Sequence, residues 1–193
     1  MTGRATPAFD KTALRLRMRG LRRRLAAEAP DAAARAAERL PLDRLPPFKA
    51  FAIYHPQGSE LDPVPMARRL AEGGAATLLP VAETRDRALV FRVWSPELPL
   101  EPDAVGVPSP PRMSGSMTPQ LIVAPLLAFD RQGGRLGQGG GHYDRTLQAL
   151  RRTGQVFILG LAYAGQELAE IPMEPHDERL DAVLTEAGYI ELG

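Results

Sequence analysis

The 193-residue sequence contains no cysteine, which excludes a disulfide framework, a thiolate metal site and a cysteine nucleophile. Aromatic residues make up only 6%, with a single tryptophan, so a nucleic-acid surface built by base stacking beside basic residues has little material. The net charge of +1 gives no general attraction to a polyanion. No apolar run approaches the roughly 18 residues of a membrane span, and the arginine-rich start lacks the apolar core and cleavage site of a secretory peptide. These absences predict a soluble, cytoplasmic protein with no membrane and no nucleic-acid partner.

What is present fits one globular domain, residues 1–193. Hydrophobic residues are 44% and charged residues 24%, enough apolar side chain for a real interior. Residues 1–10 show no periodicity and are expected to stay outside the ordered fold. Leu14, Met18, Leu21 and Leu25 then recur at helical spacing. The same helix carries Lys11, Arg15, Arg17, Arg19, Arg22, Arg23 and Arg24 with no acid before Glu28, which reads either as a solvated face or as an anion-binding one. Asp31 is placed to cap a second helix running to about Leu40, before Leu45-Pro46-Pro47. Short apolar runs at 50–54, 76–79, 89–93, 121–125, 156–161 and 181–184 predict strands. Helical stretches at about 63–72 and 143–152 lie between some of them. This alternation predicts an α/β fold with a mainly parallel sheet covered by helices. Seven prolines between Ser95 and Pro119 predict a long irregular loop, a candidate wall or lid for a binding site.

The densest chemical signal is PLLAFDRQGGRLGQGGGHYDRTLQAL, residues 125–150, between a predicted strand and a predicted helix. Glycines at 133, 134, 137, 139, 140 and 141 allow positive φ and close backbone approach. A glycine-rich turn feeding a helix start also offers free amide N–H groups to an anion. Arg135 can add a two-pronged donor for phosphate oxygens, and Asp144 can hold magnesium, which prefers oxygen ligands. The run has neither the G-K-[ST] ending of a P-loop nor GxGxxG spacing, and a surface turn remains the plain alternative. A second candidate is YHPQGSELDP, residues 54–63, just after a strand. Glu60 there can accept paired hydrogen bonds from an amino-substituted ring, or cap the next helix, a role Asp62 fills equally well. A third is His176-Asp177, a metal or phosphate site or a structural pair.

The segment AFDRQGGRLGQGGGHYDR resembles the signature of the 5-formyltetrahydrofolate cyclo-ligase (5,10-methenyltetrahydrofolate synthetase) family: AFD, a glycine-containing spacer, RLG and a glycine-rich run closing on YDR. The likeness extends to Lys11-x-x-x-Arg15, to Tyr54 with Glu60 and Asp62, to Gln166, and to Pro172, His176-Asp177 and Thr185-Glu186. It implies a three-layer α/β/α domain similar to the sugar-phosphate isomerase and CoA-transferase group. It also implies use of ATP and Mg2+ to close 5-formyltetrahydrofolate, a reduced folate, to 5,10-methenyltetrahydrofolate; a monomer is expected. ADP and phosphate are released after phosphorylation of the formyl oxygen. Carried over residue by residue, Lys11 and Arg15 would contact ATP, and Arg15 the folate as well. The run Arg135, Leu136, Gly137, Gln138, Gly139, Gly140, Gly141, His142 and Tyr143 would wrap the triphosphate. Gln138 to His142 would also face the folate, beside Glu60 and His55. Asp144 and Asp177 would be the magnesium ligands, and Arg135, Tyr143 and Arg145 the groups nearest the chemistry.

One departure stands out: the family commonly carries a lysine within the glycine run where this chain has Gly140, so its charge must come from the basic first helix or from Arg145. Two other functions compete. A sugar-phosphate or CoA-ester enzyme of the same fold group would need the phosphate turn but not Glu60. A nucleic-acid binder would rest on the basic helix alone.

Overall fold

The computed structural model describes residues 10–192; the expectation for the first residues falls almost wholly outside them. In chain order the elements are helices α1 (Lys11–Glu28) and α2 (Ala32–Glu38), strand β1 (Ala50–Ala52), helix α3 (Val64–Ala71), strands β2 (Ala76–Val81) and β3 (Val90–Val93), the short strands β4 (Glu101–Pro102) and β5 (Pro108–Ser109), strand β6 (Leu121–Pro125), the short pair β7 (Ala128–Phe129) and β8 (Arg135–Leu136), helix α4 (His142–Thr153), and strands β9 (Phe157–Leu161), β10 (Ala182–Thr185) and β11 (Gly188–Glu191). None of the described helices is long and apolar enough to cross a membrane.

Seven strands form one sheet in the order β11-β10-β9-β6-β1-β2-β3. Its interior strands are parallel, while β3 and β11 close the edges antiparallel. Side chains alternate between the faces of a strand, and the sheet uses this to build two cores. Phe51, Leu79, Val123, Leu159 and Leu184 meet the small residues Ala32, Ala36 and Ala67 and the larger Met66 and Leu70 of α2 and α3. Their neighbours Ala50, Ala52, Leu78, Ile122, Ala124, Ile158 and Val183 meet Leu147 of α4. Burial of each large side chain, such as the fully covered Phe51, contributes about 1.5–3 kcal/mol. Helices on both faces of a mostly parallel sheet bear out the alternating pattern and give the three-layer architecture that the family resemblance implies.

Helix α1 belongs to neither layer. Asp10 caps it by accepting from the amides of Thr12 and Ala13 at 2.9 and 3.1 Å. Leu14 and Met18 then pack on Leu127, Ala128, Leu136 and Ile171, so the helix lies across the ends of the strands. Two local expectations fail. Asp31 makes no capping hydrogen bond: its φ of −93° and ψ of 2° depart from the extended geometry a capping side chain favours. It pairs instead with Arg35, 3.2 Å away and one turn on. The proline-rich loop is not wholly irregular, because β4 and β5 pair within it. Asp103 holds that ribbon together, accepting from the amides of Ala82, Val105 and Val107, each at 2.9 Å. The prolines Pro102 and Pro108 fit because a two-stranded edge ribbon leaves N–H positions that need no partner.

Candidate active site

The chain leaves β1 toward β2 on one side of the sheet and leaves β6 toward β9 on the other, while β1 and β6 are neighbours. Such a switch point leaves a crevice beyond the carboxyl ends of the two strands, where open α/β sheets bind ligands. A cavity of about 580 Å³ opens there, within the size range of small-molecule sites. Lys11, Arg15, His55, Glu60, the whole run from Arg135 to Asp144, and Asp177 all line it. Arg145 does not reach the wall; it backs the glycine run from behind. Val105 and Val107 of the proline-rich loop supply an apolar side, so that loop is a wall of the cavity.

The glycine run is shaped by two backbone demands. Between β7 and β8 the chain reverses around Asp130, whose carboxylate accepts from the amides of Gln132 at 2.9 Å, Gly134 at 2.7 Å and Ile171 at 2.7 Å. A Cβ at position 134 would sit 2.4 Å from that carboxylate, so only glycine lets the loop close. At the other end Gly141 is the N-cap of α4 with φ of 66° and no side-chain cap. The first amides of α4 therefore meet the cavity without a side-chain partner, the arrangement that attracts an anion.

Cations surround this end. Arg15 donates to Gly137 O at 3.1 Å. Arg19 donates to the side chain and carbonyl of Gln138 at 3.0 and 3.3 Å. Arg145 reaches Gly140 O at 3.1 Å from the opposite side. The Nε groups of Arg135 and Arg145 are buried without an acceptor among the described residues; Arg135 lines the cavity, where phosphate oxygens would meet that demand. The basic face of α1 thus splits in two. Lys11, Arg15, Arg19 and Arg22, one turn apart, face the site, whereas Arg17, Arg23 and Arg24 are solvated.

Arg22 is the residue that sequence reasoning missed. It is buried, and donates to Ser59 Oγ at 3.2 Å and to both Glu60 Oε1 and Leu126 O at 3.3 Å. The signal was present: Arg22 continues the buried stripe of Leu14 and Met18 at four-residue spacing, and an arginine there must find a partner. Glu60 also accepts from Gln57 N at 2.9 Å and Gln138 Nε2 at 3.3 Å. Asp62, not Glu60, takes the first-turn amide of α3, from Val64 at 2.9 Å. The capping role is therefore filled, and Glu60 is held against the cavity by contacts from α1, its own loop and the glycine run.

Two tyrosines flank this carboxylate. Burial raises the phenol of Tyr54 well above its ordinary range, helped by the Glu60 charge, and its hydroxyl donates to Leu61 O. Tyr143 is likewise raised, by burial first and then by Glu60, against the opposing pull of Arg135. The guanidinium of Arg135 lies 5.7 Å from the centre of the Tyr143 ring. Both phenols stay protonated at neutral pH and can donate hydrogen bonds rather than act as bases.

The acidic end of the cavity holds the residues assigned to magnesium. Glu174, His176 and Asp177 offer ligand atoms within 4.8 Å of one another. Asp144 stands outside that group, yet its Oδ1 accepts from Glu178 N at 3.2 Å, which ties it to the residue after Asp177. Carboxylate oxygens of this kind suit a hard cation. Both carboxylates are paired with cations: Asp144 with Arg135 at 2.6 Å, and Asp177 with Lys11 at 2.9 Å. Burial pulls the Lys11 ammonium down, but its hydrogen bonds to Asp177 and Glu174 outweigh that and leave it above its ordinary value. Burial likewise pushes Asp177 up, and the Glu174 amide with Lys11 more than reverses it. Arg151, in the last turn of α4, grips Glu178, Arg179 O and Asp181, and so joins the acidic loop to the helix bearing Asp144.

The sequence pattern of the 5-formyltetrahydrofolate cyclo-ligase family matches residues 8–186. Among curated proteins, the chain is 37% identical to the 5-formyltetrahydrofolate cyclo-ligase of Mycolicibacterium smegmatis over 144 residues, 71% of this chain and 73% of that one. It is 32% identical to the protein of that name from Escherichia coli strain K12 over 139 residues, 69% of this chain and 76% of that one. Among solved structures, the 5,10-methenyltetrahydrofolate synthetase of Aquifex aeolicus superposes with a TM-score of 0.76 at 26% identity, covering 95% of this chain and 93% of that one. A Mycoplasma pneumoniae synthetase gives 0.70 at 23% identity, covering 92% and 99%, and shares the fold. The matched stretch begins ahead of α1 and ends beyond β10, taking in every wall of the crevice, and the chain belongs to the 5-formyltetrahydrofolate cyclo-ligase family.

Proposed function

We propose that the protein converts 5-formyltetrahydrofolate to 5,10-methenyltetrahydrofolate with consumption of one ATP. The observation that carries this reading is a single cavity joining an uncapped, cation-ringed helix start to the carboxylate of Glu60. The first half suits a triphosphate, and the second suits the paired N–H donors of a pterin ring.

A formamide oxygen is a poor leaving group, so ring closure needs it activated. The γ-phosphoryl group passes from ATP to the formyl oxygen, breaking the bond to the β-phosphate oxygen and releasing ADP. N10 then attacks the formyl carbon, loses its proton, and the oxygen departs as part of inorganic phosphate. Phosphoryl transfer depends on alignment and charge neutralisation more than on any base. Lys11, Arg15 and Arg135, with the first amides of α4, hold the phosphates in this scheme. Glu60, supported by Arg22, orients the pterin, with His55 and Gln138 beside it. Protonated Tyr143 donates a hydrogen bond at the reacting oxygens. Arg145, pressed on Gly140 O, supplies the charge absent from position 140. Asp144 and Asp177 would hold magnesium, whose double charge offsets that of the phosphates.

The test is absorbance at the methenyl product band with and without ATP and Mg2+, using substrate labelled with 18O in the formyl group. Product only with both additions, and label recovered in phosphate, support the scheme. Label released as water instead of phosphate refutes phosphorylation of the formyl oxygen, and product without ATP refutes the reading as a whole.

A further inference from the structure

Each carboxylate assigned above to the metal is held by a cation assigned above to the triphosphate. Lys11 Nζ lies 2.9 Å from Asp177 Oδ2 and 3.3 Å from Glu174 Oε1. Arg135 Nη2 lies 2.6 Å from Asp144 Oδ1. His176 Nε2 stands 3.2 Å from Glu174 and 3.8 Å from Asp177, so no carboxylate of the cluster is left without a basic neighbour. The two pairs differ in freedom. The Arg135 side chain is 4% exposed and Lys11 is 20% exposed, and lysine is a point charge on a flexible stem where arginine is a rigid fork. Arg135 can keep Asp144 on one arm while its unpartnered Nε takes another acceptor. Lys11 has to let go of Asp177 Oδ2 before a divalent ion can take that oxygen.

We propose that Lys11 is a resident counter-ion that excludes free divalent metal and makes the site accept metal and triphosphate together. This rests on the assignment of Asp144 and Asp177 as metal ligands. Bound alone, a metal ion would take Asp177 from the ammonium of Lys11 and leave it only the more exposed Glu174, 3.3 Å away. Bound alone, a triphosphate would draw Lys11 away and leave Asp177 facing phosphate oxygens. When both arrive, the exchange leaves nothing unpaired: metal takes the carboxylate and phosphate takes the ammonium. The consequence is specificity for the metal–nucleotide complex over either component, set by one lysine in the first turn of α1.

The experiment measures Mn2+ binding to the full chain by the loss of the free-ion EPR signal, with and without the non-hydrolysable β,γ-imido analogue of ATP. For the wild-type protein, the analogue is expected to tighten Mn2+ binding by at least about tenfold, as expected for an ion pair at this separation in a partly exposed site. Lys11→Met should bind Mn2+ about tenfold more tightly than wild type without nucleotide and bind the analogue more weakly. Lys11→Arg should behave as wild type, and Lys11→Met with Asp177→Asn should lose the gain. Unchanged or weaker nucleotide-free Mn2+ binding by Lys11→Met overturns the counter-ion role, as does a gain that survives Asp177→Asn. Wild-type protein that takes up no Mn2+ even with the analogue overturns the metal assignment itself, a distinct outcome.

Discussion

Replacing Arg22 by methionine keeps the apolar stem of the side chain and removes the guanidinium, with its charge and its bonds to Ser59, Glu60 and Leu126. The side chains of Arg22 and Glu60 are 6% and 5% exposed, so the change strands a carboxylate in a poorly solvated place. Breaking a buried pair in this way costs about 3–5 kcal/mol. Glu60 keeps its bonds from Gln57 N and Gln138 Nε2, so the lower end, about 3 kcal/mol, is expected. That corresponds to roughly a hundredfold loss in the folding equilibrium. Urea denaturation of wild type, Arg22→Met, Glu60→Gln and the double variant measures it. Because Glu60→Gln removes the stranded charge, the double variant should be more stable than Arg22→Met alone, with a coupling of at least about 1 kcal/mol. The same cycle in kinetics should raise KM for the folate far more than KM for ATP, since Arg22 touches Glu60 and not the glycine run. A loss below about 1 kcal/mol for Arg22→Met, with additive double-variant effects, would refute the reasoning that the pair orients Glu60.

Gly141→Ala puts a Cβ at φ of 66° and 2.7 Å from Arg145 Nη1. It should cost about 1–2 kcal/mol in thermal unfolding and raise KM for ATP by moving the α4 amides. Tyr143→Phe should lower kcat yet leave the shape of the pH–rate profile between pH 6 and 9 unchanged. The folded-state phenol is raised above its ordinary value, so it loses no proton in that window; an alkaline limb that vanishes in the variant would contradict this. Arg151→Ala should weaken Mn2+ binding in the presence of a nucleotide analogue several-fold with little change in KM for folate, because Arg151 tethers the Asp177 loop to α4. Equal effects on both substrates would show a general loss of folding instead.

Much of the sheet was legible because each interior strand is a short apolar run. Ala50–Ala52, Leu121–Pro125, Phe157–Leu161 and Ala182–Thr185 are buried on both faces along most of their length. The edge strand β11, with Tyr189 and Ile190 only half-buried, carries no such run and was not foreseen. Neither was the β4–β5 ribbon, whose prolines suggest irregular backbone and whose pairing depends on Asp103 reaching Ala82 across the chain. The candidate site was legible where it is continuous in sequence. Arg135 to Asp144 is a local turn and helix start, and its glycines declare backbone geometry that the residues themselves require. Asp177 and Lys11 are each legible singly, one beside His176 and the other in the basic helix, but their contact spans 166 positions and no local pattern encodes it.

The amino-acid sequence by itself determined the layered α/β fold, the glycine-rich turn before α4 and the family, because hydrophobic period, glycine placement and motif order are properties of neighbours along the chain. Only the tertiary structure decided which arginines of α1 face the site, that Asp62 rather than Glu60 serves α3, and that Asp144 and Asp177 are paired with Arg135 and Lys11. The facing of the α1 cations and the Lys11–Asp177 pair depend on where α1 comes to rest across the strand ends. That placement is set by packing of Leu14 and Met18 on Leu127, Leu136 and Ile171, residues more than a hundred positions away.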